Sequence, residues 1–147
     1  MTNMRELTEL GVSEITCGIR DRSFSAREVT EAFLERIRTI DGDIGAFLSV
    51  RSEQACAAAE IDRRIGAGDD VGPLAGVPVA LKDNIVMRGE HVTAGSRILE
   101  QYVGSYDATV VKKLKGAGAI IIGKTNLDEF AMGSSTEHSA LGVTRNP

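Results

Sequence analysis

Residues 77–81 read Val-Pro-Val-Ala-Leu, a short apolar run bounded by Gly76 and Lys82. Its length and its partly β-branched composition predict a buried β-strand. A second apolar run, Ala-Ile-Ile-Ile at residues 119–122, predicts another strand of the same kind. Between the two runs, apolar residues at helical spacing follow Asp107, which can cap a helix. This strand–helix–strand order favours an α/β layer with parallel strands and a right-handed crossover.

The chain before residue 77 is predicted to be mainly helical. Apolar residues at helical spacing predict a first helix over residues 12–20. Ser25-Ala26-Arg27-Glu28 has the pattern of a capping box, in which the serine and glutamate side chains satisfy two backbone amides at a helix start. The helix that follows carries one apolar stripe, and we expect it to end at Asp41-Gly42-Asp43.

A short extended segment and a third helix precede the first strand. Residues 47–50 are predicted to be extended, and Ser52 can cap a helix that runs to about Ile65. Residues 133–147 are rich in Gly, Ser, Thr and Asn without periodicity and are predicted to form an irregular loop. The predicted fold class is α/β, with N-terminal helices followed by the start of a mixed, mainly parallel sheet that has helices on its faces.

The composition suits a globular protein without a large basic surface. Its 147 residues are 42% hydrophobic and 26% charged, with a formal net charge of −4. Sequence-independent binding of nucleic acid depends on Lys and Arg neutralising phosphates, so we expect any RNA contact to belong to a partner. No run has the length and apolar character of a signal peptide or a membrane helix, which predicts an untargeted protein.

Cysteine and histidine usage predicts neither disulfides nor a metal site. Cys17 and Cys56 lack the spacing of a disulfide framework or a zinc site, which fits a reducing cytoplasm. His91 and His138 are isolated and have no carboxylate at ligand spacing. We therefore assign no role to either histidine.

One pattern match has the wrong structural context. Residues 118–125 fit the phosphate-loop formula G-x-x-x-x-G-K-[ST]. In a true phosphate loop the amides turn inward around phosphate, whereas the central residues here are apolar and are predicted to be the second strand itself. The formula therefore does not predict nucleotide binding.

Lys82 is the candidate catalytic residue, because it stands where the first predicted strand ends and is followed by Asp83-Asn84. Ligands of α/β sheets bind at the carboxyl edge of the strands. We expect Lys82 to be partly buried there, because burial favours the uncharged amine that a general base requires. The alternative from residue context alone is an ordinary solvated lysine at a strand end.

A second candidate segment follows the second predicted strand. Residues 132–137 read Met-Gly-Ser-Ser-Thr-Glu, and glycine allows the backbone to approach a carbonyl or carboxylate closely. A hydrogen-bonded turn is the alternative interpretation. Asp128 and Glu129 are interpreted as the first turn of a helix capped by Asn126, where negative charge suits the helix dipole.

The stretch at residues 72–84, Gly-Pro-Leu-Ala-Gly-Val-Pro-Val-Ala-Leu-Lys-Asp-Asn, resembles the lysine-bearing segment of amidase-signature enzymes. Residues 93–96, 106–110 and above all 125–137 resemble the A subunits of glutamyl-tRNA(Gln) and aspartyl-tRNA(Asn) amidotransferases more than other members of the family. The resemblance implies that residues 1–147 are the N-terminal portion of a single amidase-signature domain. That portion would end before the Gly/Ser-rich segments.

The resemblance also implies a mechanism. Lys82 would belong to a Ser–cis-Ser–Lys triad, drawing a proton through a bridging serine while a second serine attacks an amide carbonyl. Backbone groups of Ala131, Met132, Gly133 and Ser134 would contact the substrate. An amidotransferase component of this kind releases ammonia from glutamine through an acyl-enzyme.

Partners and cofactors follow from the same resemblance. The B and C subunits of the amidotransferase are the implied partners. The partner subunit would use ATP and magnesium to place the ammonia on mischarged tRNA, and no cofactor is expected in this chain.

By the resemblance, both triad serines belong to segments that follow residues 144–147, so this chain alone is expected to be inactive. Ser134, Ser135 and Ser139 are expected in the loop beside the substrate rather than as nucleophiles. Two alternatives stay open. One is a different amide hydrolase of the same family, and the other is a partner-binding fragment that uses the amphipathic helix over residues 26–41 without catalysis.

Overall fold

A computed structural model describes residues 4–147. Residues 1–3, part of the stretch predicted to lack a targeting signal, lie outside the described residues. The helices of the described chain are α1 (Met4–Leu7), α2 (Val12–Arg20), α3 (Ala26–Ile44), α4 (Gln54–Ala67) and α5 (Thr109–Gly116). The strands are β1 (Phe47–Val50), β2 (Pro78–Lys82) and β3 (Ile120–Thr125), and short 3-10 helices lie at Arg97–Leu99 and Glu129–Ala131.

The described chain forms two compact units. The first unit contains the described residues up to Thr39 together with residues 51–79 and 113–122, and the second contains residues 40–50, 80–112 and 123–147. Among residues 4–147, none of the helices combines the length and the apolar character that crossing a bilayer requires.

An apolar core holds the first unit together. The predicted helix over residues 12–20 is confirmed as α2, and it buries Ile15 and Ile19. Helix α3 buries Val29, while Phe33 and Ile37 of the same stripe pack against the core. The apolar stripe of α3 is therefore used within this unit, and the partner-binding alternative stays a prediction.

The ends of α3 are set by local hydrogen bonds. At its start, the amide of Ser25 donates to the Glu28 carboxylate at 2.8 Å and the amide of Glu28 donates to Ser25 Oγ at 3.0 Å, which confirms the capping box. The expected stop at residues 41–43 is wrong, because α3 continues to Ile44. The helix stops before Gly45, whose left-handed φ of 68° an L-residue adopts only with strain. The Asp41 carboxylate stabilises this end by accepting hydrogen bonds from the amides of Ala46 and Phe47.

Helix α4 begins one residue later than the sequence predicts. The expected cap at Ser52 is wrong, since α4 starts at Gln54 with Glu53 in the cap position and no side-chain capping bond. The helix runs two residues past the predicted end at Ile65, to Ala67, and Gly68 of the predicted breaking segment closes it with a left-handed φ of 83°.

The strands form one sheet in the order β1-β3-β2. Strand β1 pairs antiparallel with β3 through Phe47 and Thr125. Strands β2 and β3 run parallel, since Ile120 N donates to Val77 O and Asp83 N donates to Thr125 O. The predicted α/β class with a mixed sheet is confirmed.

Strand β3 extends further than the apolar run that predicted it. Gly123, Lys124 and Thr125 all belong to the strand, and residues 120–124 are buried. The amides of the phosphate-loop pattern therefore lie in a strand, as the apolar composition predicts, and do not form a loop around an anion. Residues 133–147 contain no helix or strand, which confirms the irregular segment.

Candidate active site

Lys82 is the last residue of β2, and its side chain is exposed. Alternate residues of a strand point to opposite faces, so Ala80 and Lys82 are exposed whereas Leu81 is buried. The expectation that Lys82 is partly buried is therefore wrong in the part of the chain that the structure describes. Within that part of the chain its amine makes no hydrogen bond or ion pair, and its catalytic role stays a prediction.

A buried ion pair lies directly beside Lys82. The Nζ of Lys124 is 2.7 Å from Oδ1 of Asp83, and the two residues are 0% and 2% exposed. Asp83 Oδ2 accepts hydrogen bonds from the amide of Thr93 at 2.8 Å and from its hydroxyl. Lys124 also donates to the carbonyl of His91 at 3.3 Å. Each charge thus has an opposite charge and further hydrogen bonds, the condition under which buried ions are tolerated.

The backbone of Asp83 is fixed as firmly as its side chain. Its amide donates to Thr125 O at 3.0 Å, and its carbonyl accepts from Ala94 N at 3.2 Å. Because Asp83 is bonded through both backbone groups and both carboxylate oxygens, the chain just after Lys82 is held in place. The lysine is therefore a free amine on a fixed backbone.

Sequence reasoning missed Lys124. The signal was available, because a lysine that continues an Ile-Ile-Ile-Gly run must be buried if the strand extends to it. A buried lysine requires a partner, and Asp83 follows the neighbouring strand. Because the predicted strand ends at Ile122, it leaves Lys124 outside the sheet and gives no reason to pair it with Asp83.

Two hydrogen bonds link Asp83 to the residue that precedes the predicted substrate segment. Asp83 O accepts from Ala94 N, and Ala94 O accepts from Phe130 N at 2.8 Å. Ala94, Phe130 and Ala131 have φ values of 50°, 51° and 61°, which are unfavourable for residues with a side chain. Such strain persists only where surrounding contacts determine the backbone. The two hydrogen bonds thus connect the backbone of Asp83 through Ala94 to the backbone of Phe130.

Residues 131–134 are accessible. Met132 is 79% exposed, Gly133 and Ser134 are also exposed, and Ala131 is half-buried. The predicted contact between these residues and a substrate is compatible with this exposure and stays a prediction.

The segment is organised by Asp128, which is only 3% exposed. Its Oδ2 accepts from the amides of Ser135 and Thr136, and its Oδ1 accepts from the amide of His138, each at 2.9 Å. The amides of His138 and Thr136, followed by that of Ser135, lower the pKa of the Asp128 carboxyl. Asp128 is thus the anchor of the loop.

The interpretation of Asn126 as a helix cap is wrong. A 3-10 helix of three residues follows Asp128, and no side chain caps it. Asn126 Oδ1 accepts from the amide of Leu127 and the hydroxyl of Ser139, while its Nδ2 donates to Gly142 O and Thr144 Oγ1. The amide side chain therefore ties together the irregular C-terminal segment.

A cavity of about 460 Å³ is lined in part by Asp83 of the ion pair. Asp83, His91 and Thr93 are among its lining residues, but Lys82 is not. Asp83 has no oxygen to spare there, since its carboxylate already serves Lys124 and Thr93. The cavity is therefore separate from the predicted catalytic amine.

Comparison with known proteins places these features in a family. The family model described as Amidase matches residues 28–147. The A subunit of the glutamyl-tRNA(Gln) amidotransferase of Renibacterium salmoninarum is 50% identical over 145 residues, which cover 98% of this chain and 28% of that protein. The chain therefore belongs to the Amidase family.

Solved structures agree on the fold. The crystal structure of the glutamyl-tRNA(Gln) amidotransferase A subunit from Thermotoga maritima is 39% identical with a TM-score of 0.67, covering 99% of this chain and 27% of that one. The peptide amidase of Stenotrophomonas maltophilia is 32% identical with a TM-score of 0.82, covering 92% and 29%. The chain spans less than a third of the length of the curated relatives it matches.

Proposed function

We propose that this chain belongs to the A subunit of a glutamine-dependent tRNA amidotransferase that acts in the cytoplasm. Support comes from relatives of that name, which are about half identical to the chain over 97–100% of its length. The complete protein would hydrolyse glutamine to supply ammonia, which converts Glu-tRNA(Gln) or Asp-tRNA(Asn) to the amidated form.

In this proposal Lys82 is the proton acceptor. A serine hydroxyl loses its proton through a bridging serine to the lysine amine, and the serine oxygen attacks the side-chain amide of glutamine. The C–N bond breaks, ammonia leaves with the returned proton, and water then releases glutamate from the acyl-enzyme. Both serines are expected from segments that follow Pro147. Within the described residues the amine of Lys82 makes no hydrogen bond or ion pair, so it is open to the bridging serine that the proposal requires.

The proposed partners are the B and C subunits, mischarged tRNA and the ATP and magnesium used by the partner subunit. The net charge of −4 supports a division of labour in which the RNA is held mainly by another component of the complex. No cofactor is proposed for this chain.

Lys82→Ala tests the proposal in the complete polypeptide that carries these residues, assembled with the B and C subunits. Loss of a general base lowers turnover by about 10²–10⁴-fold, so release of ammonia from glutamine should fall by that factor. Lys112→Ala is the matched control, because Lys112 is an exposed lysine on α5. Glutaminase activity that survives Lys82→Ala would refute the assignment.

A second candidate is another amide hydrolase of the same family. The higher TM-score with the peptide amidase, 0.82 against 0.67, supports it. Wild-type protein that releases ammonia from a C-terminal peptide amide but not from glutamine would favour this candidate over the first.

A further inference from the structure

The carboxylate of Asp128 determines which backbone donors of the loop remain free. From residue 131 to residue 138, the amides of Ser135, Thr136 and His138 point to this carboxylate. The amide of Glu137 lies 3.5 Å from Ser135 Oγ. Each of these four amides therefore already has an acceptor within the loop or at Asp128.

The amides at the start of the loop are committed as well. Ala131 N donates to Asp128 O at 2.8 Å, and Met132 N donates to Glu129 O at 3.1 Å. Within this segment of the described chain, the amides of Gly133 and Ser134 alone have no acceptor. Two consecutive free amides on an exposed segment can donate to one oxygen atom or to the two oxygens of a carboxylate.

Close packing holds Gly133 against the carboxylate of Asp128. A Cβ added at Gly133 would lie 2.5 Å from Asp128 Cγ, so only glycine lets the loop pass at this distance. Thr136, which also donates to the carboxylate, has a φ of 64°, a conformation that needs support from its contacts. The loop geometry thus depends on the carboxylate and on the absence of a side chain at Gly133.

We propose that Asp128 is a positioning residue, which gathers three loop amides so that the amides of Gly133 and Ser134 face an acceptor oxygen of the substrate. This inference rests on the proposed function and names the two donors within the predicted substrate segment. Asp128 itself does not touch the substrate, since its oxygens are occupied by the loop.

Kinetics of Asp128→Asn test the proposal in the complete polypeptide. The amide side chain replaces one acceptor oxygen with a donor, so the loop loses part of its anchor. If Gly133 and Ser134 bind the substrate in its ground state, KM for glutamine should rise roughly ten-fold or more while kcat changes little. The control is Glu137→Gln, which changes an exposed carboxylate of the same loop that bonds Ser135 Oγ. An unchanged KM for Asp128→Asn would overturn the proposal.

A double-mutant cycle keeps the proposal testable if the single variant is unstable. Gly133→Ala should also raise KM, because the new Cβ collides with the carboxylate. An Asp128→Ala background removes the contacts with Cγ and Oδ2 and leaves the one with Cβ at 2.9 Å, so the added effect of Gly133→Ala should shrink. Fully additive effects would show that the two residues do not act as one unit and would overturn the proposal.

Backbone NMR separates this inference from the proposed function. On adding glutamine to the wild-type protein, the amide signals of Gly133 and Ser134 should shift, whereas those of Ser135, Thr136 and His138 should stay in place. If glutamine is hydrolysed but the Gly133 and Ser134 signals do not move, the positioning inference is wrong and the function stands. If another amide is hydrolysed and moves these two signals, the function assigned to glutamine is wrong and the positioning inference stands.

Discussion

The first unit buries mainly apolar side chains, whereas the second unit buries charged and hydroxyl side chains beside apolar ones such as Leu81 and Met87. Of the buried polar side chains in residues 4–147, Thr30 lies in the first unit. The others lie in the second unit: Asp83, Thr93, Ser96, Lys124 and Asp128.

The two kinds of buried side chain respond differently to substitution. Apolar packing is non-directional and tolerates substitutions that keep volume. A buried polar network is directional, and it fails if one member is removed. The second unit contains Lys82 and the loop at residues 131–134, so its network fixes backbone groups beside the predicted chemistry.

The largest expected effect is that of Lys124→Met in the second unit. The substitution leaves the buried carboxylate of Asp83 without its counter-charge, which costs about 3–5 kcal/mol of unfolding free energy. Urea unfolding followed by far-UV circular dichroism measures the loss. The exposed Lys112→Met on α5 should change the free energy by less than about 0.5 kcal/mol. Equal effects of the two substitutions would contradict the importance of the ion pair.

Adding Asp83→Asn to Lys124→Met sharpens this test. The asparagine carries no charge and can still accept a hydrogen bond from Thr93, so the double variant should recover part of the lost stability. A double variant that is less stable than Lys124→Met would show that the cost comes from packing and not from an unpaired charge.

Ile19→Ala should have the largest effect of a single core deletion in the first unit. Ile19 is 2% exposed, and its Cδ1 would lie 2.7 Å from a Cβ at Gly76, so its side chain packs directly over that glycine. Truncation leaves a cavity and costs about 3 kcal/mol of unfolding free energy. Val12→Ala on the same helix is the control, because Val12 is 54% exposed. A comparable loss for Val12→Ala would mean that the Ile19 side of α2 contributes no more to stability than its Val12 side.

The contrast between the units also explains what could be predicted from the sequence. In the first unit, the bounds of α2 and the capping box of α3 follow from periodicity and local side-chain chemistry, and the structure confirms them. The extended segment at Phe47–Val50, which belongs to the second unit, is confirmed as well. These features depend on residues close in sequence. Most of the first unit is of this kind.

The second unit depends on contacts between residues far apart in sequence. Asp83 and Lys124 are 41 positions apart, and no periodic pattern connects them. Lys82 is exposed because it alternates along the strand with the buried Leu81. The apolar residues before it give no sign of this alternation. Asp128 is typical of the first turn of a helix, but its carboxylate accepts hydrogen bonds from amides of the loop that follows it. The loop contacts could not be inferred because they arise from left-handed backbone at non-glycine residues.

Ser25→Ala in the first unit should have a moderate effect. It removes the acceptor of the Glu28 amide and the hydroxyl that donates to the Glu28 carboxylate. The expected cost is about 1 kcal/mol, and it should lie toward the low end because Asp62 still accepts from the amides of Ala26 and Arg27. Ser23→Ala, an exposed serine in the preceding turn, is the control for the same denaturation experiment. An unchanged stability for Ser25→Ala would mean that Asp62 alone caps α3.

The smallest expected effect is local and depends on pH. Amides of the loop at residues 135–138 lower the pKa of the Asp128 carboxyl. A depressed pKa means that the anchor contributes stability above the unfolded-state value of about 3.9 and loses it as pH falls through the lower folded-state value. Amide shifts of Ser135, Thr136 and His138 should therefore titrate together, with a midpoint below that of an ordinary aspartate.

The same titration distinguishes the two units. Amide signals of the apolar core, such as that of Ile120, whose amide donates to Val77 O, should keep their positions through this transition, because no carboxylate accepts from them. In Asp128→Asn the three loop amides should lose their shared midpoint, while the Glu137→Gln loop should retain it. A midpoint at or above the ordinary aspartate value in the wild-type protein would contradict the anchoring of the loop. The second unit would then hold its substrate segment by backbone conformation rather than by charge.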